Sequence, residues 1–432
     1  MKIAVVALGK IGLPLAVQFA KKGHHVIGCD VNGATVDQVN AGTEPFPGEA
    51  HLSQYLAEVV TSGHLRATTD TTAAVSEADA VVVVVPLFVD NDGIPDFGWM
   101  DDATAKIAAG LKPGTLVSYE TTLPVGTTRN RFAPALEAGS GLKAGVDFDL
   151  IFSPERVLTG RVFADLRKYP KLVGGINVKS TAAGIAFYEA VLDFDDRPDL
   201  TQANGVWDLL TCEASEMAKL AETTYRDVNI ALANQFAIFA ETANIDIAKV
   251  IAASNSQPYS HIHQPGIAVG GHCIPIYPRF YLWNDPAATV VRAAREANAG
   301  MPVHAVSILH GALGELNGKK IAVLGISYRG GVKESAFSGV FPTVAALIAQ
   351  GANVVVHDPM YSDDEIIRLG FTPYALGEEI EGLILQADHA EYKVLSAENF
   401  PGLKAVVDGR RAFNPKNFGG VTFRVIGAPA EL

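Results

Sequence analysis

Lys2-Ile3-Ala4-Val5-Val6-Ala7-Leu8-Gly9-Lys10-Ile11-Gly12 is the stretch that decides the fold. Lys2–Val6 is an apolar run of strand length, and a helix-patterned segment reaches from the glycine turn to Lys22. His25–Cys29 reads as a second strand, ending on Asp30. Strand, glycine turn, helix, strand and terminal acid make a βαβ unit suited to a dinucleotide. A helix N-terminus carries unpaired N–H groups, glycines admit a pyrophosphate, and the acid accepts from ribose hydroxyls. Gly9, Ile11, Gly12 and Asp30 are therefore cofactor candidates, although Ala7 stands where a glycine is usual. Asp30 favours NAD over NADP, because a carboxylate repels the extra phosphate. An acid that merely closes a strand end is the competing reading.

Outward from this unit, strands are expected at Ala80–Val85, Thr115–Ser118, Asp149–Phe152 and Lys171–Val173, giving a parallel sheet wound on both faces. Ligands of open α/β sheets sit at the carboxyl ends of strands. That singles out Thr122 in Glu120-Thr121-Thr122-Leu123-Pro124-Val125-Gly126 and Glu155 in Ser153-Pro154-Glu155-Arg156, and Pro86 is a further cofactor candidate. Gly205 to Ala243 contains no proline and no glycine after its first residue, so one long helix is expected there. Its apolar positions include Leu209, Met217, Leu220, Ile230, Ala233 and Phe236, and Lys219, Thr223 and Arg226 share another face. A helix and linker are expected over Gly300–Gly318. Lys319–Leu324, a helix to about Gln350 and Asn353–Val356 then repeat the opening pattern. Strands near Gly382–Leu385, Ala405–Val407 and Val421–Ile426 complete a second sheet. The fold class is α/β: two Rossmann-like doubly wound domains joined by a long central helix and a helical domain. Its boundaries are 1–200, 201–315 and 316–432.

The 432 residues are too many for one core. A composition 48% hydrophobic and 19% charged is that of an ordinary globular enzyme, and a net charge of −13 argues against nucleic-acid or membrane-surface partners. The longest apolar stretch, Ala80–Val85, is too short to span a bilayer. Cys29, Cys212 and Cys273 lack metal-ligand spacing, so no metal is expected, and a reduced cytoplasmic compartment fits them best. Cys273 stands apart from the others, in Ala268-Val269-Gly270-Gly271-His272-Cys273-Ile274-Pro275. Glycines allow close approach of a ligand and the proline stiffens the exit.

Taken together, these segments resemble the UDP-glucose/GDP-mannose dehydrogenase family over nearly the whole chain. The markers are Gly9-Lys10-Ile11-Gly12-Leu13-Pro14, Thr122–Gly126, Ser153-Pro154-Glu155-Arg156-Val157, Lys219-Leu220-Ala221-Glu222 and Arg226–Ala231. Gly270–Pro275, Glu334-Ser335, His357-Asp358-Pro359, Asp388-His389 and Asp408-Gly409-Arg410 continue the series. The Ser-Pro-Glu-Arg-Val and Gly-Gly-His-Cys-Ile-Pro forms are similar to the branch acting on UDP-N-acetylhexosamines, especially UDP-N-acetylmannosamine. The resemblance implies oxidation of a sugar C6 alcohol to a carboxylate with two NAD. Cys273 would carry a thiohemiacetal and then a thioester. Lys219 would face the developing oxyanion, and Glu155 with Thr122 would serve the hydrolytic water. Arg156, Thr223, Arg226, Tyr259, Gly270 and Tyr328 would join Glu155 and Lys219 around the substrate. Lys333 and Arg410 would help hold cofactor and nucleotide diphosphate. A homodimer through the long helix is expected. The chain departs from the family pattern at Tyr277, where an acid is usual, at Thr223, where an amide is usual, and at Tyr259, where an arginine is usual. UDP-glucose or UDP-N-acetylglucosamine as substrate, a two-electron hydroxyacid dehydrogenase, and a silent nucleotide-sugar or NAD binder are the alternatives.

Overall fold

The computed structural model describes residues 1–90 and 93–430, which divide into two compact units, Met1–Ala221 and Glu222–Leu432. In the first unit β1 is Lys2–Val6, α1 Gly12–Lys21, β2 His25–Cys29, α2 Gly33–Asn40, α3 Leu52–Thr61, β3 Leu65–Thr68, α4 Thr71–Glu77 and β4 Ala80–Val83. A small hairpin follows, β5 Phe88–Val89 with β6 Pro95–Asp96, then α5 Gly98–Gly110 and β7 Leu116–Tyr119. A π-helical turn, Thr128–Phe132, leads into α6 Ala133–Ser140; β8 Asp149–Phe152, α7 Val162–Lys168, β9 Lys171–Gly175, α8 Val178–Val191 and β10 Val206–Thr211 follow. Apart from the β5–β6 hairpin, the strands form one eight-stranded sheet in the order β10-β9-β8-β7-β4-β1-β2-β3. The strand order reverses between β4 and β1, which is where a doubly wound sheet opens a crevice at its carboxyl edge. Leu13, Val17 and Phe19 of α1 pack with Ile3, Val5 and Val26 in the core that anchors this edge.

Two features differ from the expected all-parallel sheet. β9 runs antiparallel to β8, with Ile151 opposite Gly175 and Phe152 opposite Gly174, and β10 is parallel to β9. The connection from β8 carries only the seven-residue α7, so β9 starts at the edge where β8 ends. The long helix also starts later than Gly205. Val206–Thr211 is strand β10, and α9 covers Cys212–Thr242. No glycine or proline marks that change. The signal is Thr211, whose hydroxyl caps α9 by accepting from Ala214 N–H at 3.1 Å.

The division between the units falls within α9. The second unit continues with α10 Ile247–Ser254, α11 Tyr277–Asn284, α12 Thr289–Leu313, β11 Lys320–Leu324, α13 Val340–Ala349, β12 Asn353–His357 and α14 Asp363–Arg368. It ends with β13 Gly382–Leu385, β14 Ala405–Asp408 and β15 Thr422–Val425. Its five strands are all parallel, in the order β12-β11-β13-β14-β15. This is the second Rossmann-like sheet. α12 begins well before Gly300, where the helix was expected to start, and passes through Pro302. Met301, Ala305, Val306 and Leu309 recur at helical spacing into the core, which outweighs the one backbone bond a proline removes. On α9, Leu220 and Ala233 are buried as expected, whereas Met217 and Phe236 are exposed. Among the described residues no helix is long and apolar enough to cross a membrane.

Candidate active site

In the first unit, the turn after β1 carries the cofactor candidates. Ala7, in place of a glycine, adopts a left-handed backbone with φ 77°, a conformation that costs an alanine about 1–2 kcal/mol. Its N–H donates to Cys29 O at 2.8 Å, which holds the turn against β2. Gly12, first residue of α1, permits the close approach: a Cβ there would lie 1.9 Å from Ala7 O. A Cβ on Gly9 would meet nothing within 4 Å, so the turn presents open backbone on that side. Asp30 accepts from Leu8 N–H at 2.8 Å through Oδ2 and from Asn32 N–H at 2.9 Å through Oδ1. The acid is thus fixed against the glycine turn at the end of β2. Open glycine backbone, a helix N-terminus and an oriented carboxylate fit an NAD pyrophosphate and ribose. Ile11 is half-buried just ahead of α1, and Pro86 is exposed just beyond β4 at the same edge.

The segment after β7 is tied down twice. Thr121 Oγ1 donates to Val85 O at 2.6 Å, and Thr122 beside it is buried. Gly126 N–H donates to Glu216 Oε2 at 2.5 Å, while Thr128 donates to Glu216 Oε1 through N–H at 2.9 Å and its hydroxyl at 2.7 Å. Burial pushes the Glu216 carboxyl up to about 7 despite these donors. Lys219, buried, lies three residues further along α9. Glu155, after β8, accepts from Arg156 N–H at 2.8 Å and from Lys171 Nζ at 2.8 Å. Arg156 turns its guanidinium to Pro170 O at 3.4 Å.

In the second unit, Cys273 lies just before α11 and its carbonyl accepts from Ile276 and Tyr277 N–H at 3.2 and 2.9 Å. Cys273 is exposed, while Cys29 and Cys212 are buried. Burial pushes the Cys29 thiol up to about 12 and raises that of Cys212 as well, so both stay protonated. Gly270 is required by packing, since a Cβ would lie 2.5 Å from Tyr328 Cβ and 2.9 Å from Phe337 O. Gly271 has φ 89° and donates to Ala336 O at 2.9 Å. His272 Nε2 lies 3.2 Å from Glu334 Oε2. The cysteine loop and the 328–338 loop therefore form one assembly. Arg410 joins it, donating to Tyr328 O at 3.0 Å and to Gln386 O at 2.7 Å. Lys333 instead makes a two-pronged pair with Glu365 at 2.7 and 2.8 Å. Thr223 is buried on α9, Arg226 is exposed, and Tyr259 is 92% exposed. Tyr277 opens α11 and stacks on Phe280 at 5.8 Å.

Sequence reasoning passed over the polar residues that hold these loops. Asn229 donates to His261 O at 2.6 Å and accepts from His263 N–H at 3.1 Å; Asn234 accepts from Gly266 N–H at 3.0 Å. Asn298 bridges Asn234 at 2.9 Å and Asp227 at 2.8 Å, and Arg295 reaches Asp227 at 2.7 Å. The signal was buried-type spacing of polar residues on α9: Asp227 and Asn234 are seven apart. Glu120, Lys171 and Tyr188 around Glu155 were likewise passed over.

A dinucleotide turn on the first sheet, with a second Rossmann-like sheet that braces a loop bearing an exposed thiol, defines an NAD-dependent nucleotide-sugar dehydrogenase. The chain belongs to the UDP-glucose/GDP-mannose dehydrogenase family: residues 1–192 match its NAD binding domain, 213–300 its central domain and 322–415 its UDP binding domain. It is 33% identical to UDP-N-acetyl-D-mannosamine dehydrogenase of Pyrococcus horikoshii, over 99% of both chains. Identity to UDP-N-acetyl-D-mannosamine dehydrogenase of Escherichia coli K12 is 31%, covering 92% of this chain and 96% of that one. The solved Pyrococcus horikoshii structure superposes with a TM-score of 0.87 at 30% identity, over 99% of both chains. The Staphylococcus aureus UDP-N-acetyl-mannosamine dehydrogenase Cap5O gives 0.83 at 30% identity, over 99% of this chain and 98% of that one.

Proposed function

We propose that the protein oxidises the C6 alcohol of UDP-N-acetyl-D-mannosamine to the uronate in two successive oxidations through a cysteine adduct. The observation that carries this reading is the glycine-framed, exposed Cys273 in a chain 31–33% identical to dehydrogenases of that substrate. Gly9, Ile11, Gly12, Asp30, Pro86, Thr122 and Lys333 would hold NAD, which would supply the acceptor for each hydride. Cys273 Sγ captures the aldehyde carbon as a thiohemiacetal and holds the acid-level product as a thioester, so free aldehyde does not accumulate. Lys219 carries the positive charge that stabilises the developing oxyanion. Glu155 accepts a proton from the water that releases the product, and Thr122 orients that water.

Substrate contacts in this reading come from Arg156, Thr223, Arg226, Tyr259, Gly270, Tyr328 and Arg410, together with Glu155 and Lys219. The division 1–200, 201–315 and 316–432 assigns cofactor, cysteine loop and nucleotide to successive parts. A homodimer through α9 is part of the proposal, supported by Tyr225 at 57% and Phe239 at 67% exposure on that helix. Three thiols with no disulfide among them support a cytoplasmic setting. A panel of UDP- and GDP-sugars with NAD, followed by NADH absorbance and product mass, tests the reading. Turnover restricted to a two-electron product, or to a GDP-sugar, would reject it.

A further inference from the structure

Three strand ends bring two carboxylates and one ammonium together in a space nearly closed to water. Glu120 directly follows β7 and Glu155 lies three residues beyond β8. Lys171 opens β9, which reaches this edge only because it runs against β8. Lys171 Nζ donates to Glu120 Oε2 at 2.7 Å and to Glu155 Oε2 at 2.8 Å. Glu120 Oε1 accepts from Tyr188 OH at 2.6 Å, and that hydroxyl lies 2.7 Å from Ser118 Oγ. Side-chain exposure is 4% for Lys171, 0% for Glu120 and 11% for Glu155. The titratable groups facing Glu120 are thus Lys171 from β9, Glu155 from the segment after β8, and Tyr188 from α8.

One ammonium cannot neutralise two ionised carboxylates, and a surplus charge at such burial costs several kcal/mol. The two acids are not equivalent. Glu155 has the residual exposure and a backbone N–H donor, from Arg156. Glu120 has neither advantage. Burial, reinforced by the charge on Glu155, pushes the Glu120 carboxyl up to about 7, while Lys171 and the Arg156 N–H hold Glu155 below its usual range despite its burial.

We propose that Lys171 and Glu120 are positioning residues that act through Glu155 as a buried proton-accepting relay. The proposal rests on the reading of Glu155 as the group that serves the hydrolytic water. A proton taken by Glu155 from that water passes inward: Lys171 Nζ gives a proton to Glu120 Oε2 and receives one from Glu155 Oε2. Lys171 ends as the ammonium it began as, Glu155 returns to carboxylate, and Glu120 holds the proton until it leaves by the reverse route. The relay is open only when Glu120 starts ionised.

Two measurements test this, with Glu120→Gln and Lys171→Arg. Isotope-edited infrared spectra of unliganded wild type, with labelled glutamate, should show two buried carboxylic acids that ionise near pH 7, Glu216 and Glu120, of which Glu120→Gln keeps only the first. The profile of kcat against pH should rise through the same region in wild type. Glu120→Gln should lose that rise, with kcat lower by roughly tenfold or more and KM little changed. Lys171→Arg, whose guanidinium keeps the charge but does not pass a proton, should lose it as well while keeping the Glu120 infrared titration. Glutamate spectra that match between wild type and Glu120→Gln from pH 6 to 8 would overturn the relay, as would a Glu120→Gln or Lys171→Arg variant with the wild-type kcat profile. Failure of the functional reading is distinct: no NADH from any UDP-sugar, whatever the infrared titration shows.

Discussion

Glu216 offers a perturbation whose size follows from its surroundings. Its two oxygens hold Gly126 N–H, Thr128 N–H and the Thr128 hydroxyl, which fixes the segment after β7 to α9. Burial raises the carboxyl from its ordinary 4.5 to about 7. A carboxyl raised on folding stabilises fully below its unfolded value and loses that contribution as pH rises through the folded value. Between pH 5 and pH 8 the wild type should therefore lose about 2.5 kcal/mol from this group. Glu216→Gln cannot titrate, so the loss should vanish. The amide also points a donor at Gly126 N–H, which leaves a buried donor unpaired at a cost of about 1–3 kcal/mol. The variant should be less stable than wild type at pH 5 by roughly that amount, and the gap should close or reverse by pH 8. Hydrogen exchange of peptides spanning 120–132, with urea unfolding at each pH, reads both terms. A gap constant within about 0.5 kcal/mol from pH 5 to pH 8 would refute the reasoning.

Three further outcomes follow from the geometry. Gly12→Ala sets a Cβ 1.9 Å from Ala7 O, so the turn must move. Calorimetry should then find NAD affinity reduced by roughly a hundredfold or more, about 2.7 kcal/mol; near-normal affinity would contradict the placement. Asp30→Ala should narrow the preference for NAD over NADP, read as the ratio of kcat/KM, and an unchanged ratio would remove Asp30 from the ribose site. Phe239→Glu, on an exposed position of α9, should shift the protein from dimer to monomer in sedimentation. An unaltered dimer would move the interface elsewhere.

The first βαβ unit was legible because its signals are local: Gly9, Gly12 and Asp30 each act within a few residues of the turn they shape. The tight loop around Cys273 was legible for the same reason, through its glycine and proline neighbours. The reversal of β9 was not, because it depends on how far α7 can carry the chain and not on the residues of β9 itself. Lys171 was hidden with it, since an antiparallel register is what faces Lys171 to Glu155. β10 escaped notice because neither glycine nor proline separates it from α9. The apolar stripe read on α9 was half misleading: Met217 and Phe236 are exposed, while Glu216, Lys219, Asp227 and Asn234 are buried. Buried backbone in the loops needs hydrogen-bond partners, and the helix turns its polar residues inward to supply them.

The central claim is that Cys273 carries the substrate through both oxidations. Its most direct measurement counts NADH formed per UDP-N-acetyl-D-mannosamine consumed, alongside intact-protein mass during turnover. The account predicts two NADH per sugar, a sugar adduct on Cys273, and severe impairment of Cys273→Ser and Cys273→Ala with nucleotide-sugar binding retained in the alanine variant. One NADH per sugar, with full activity in Cys273→Ala, would contradict it.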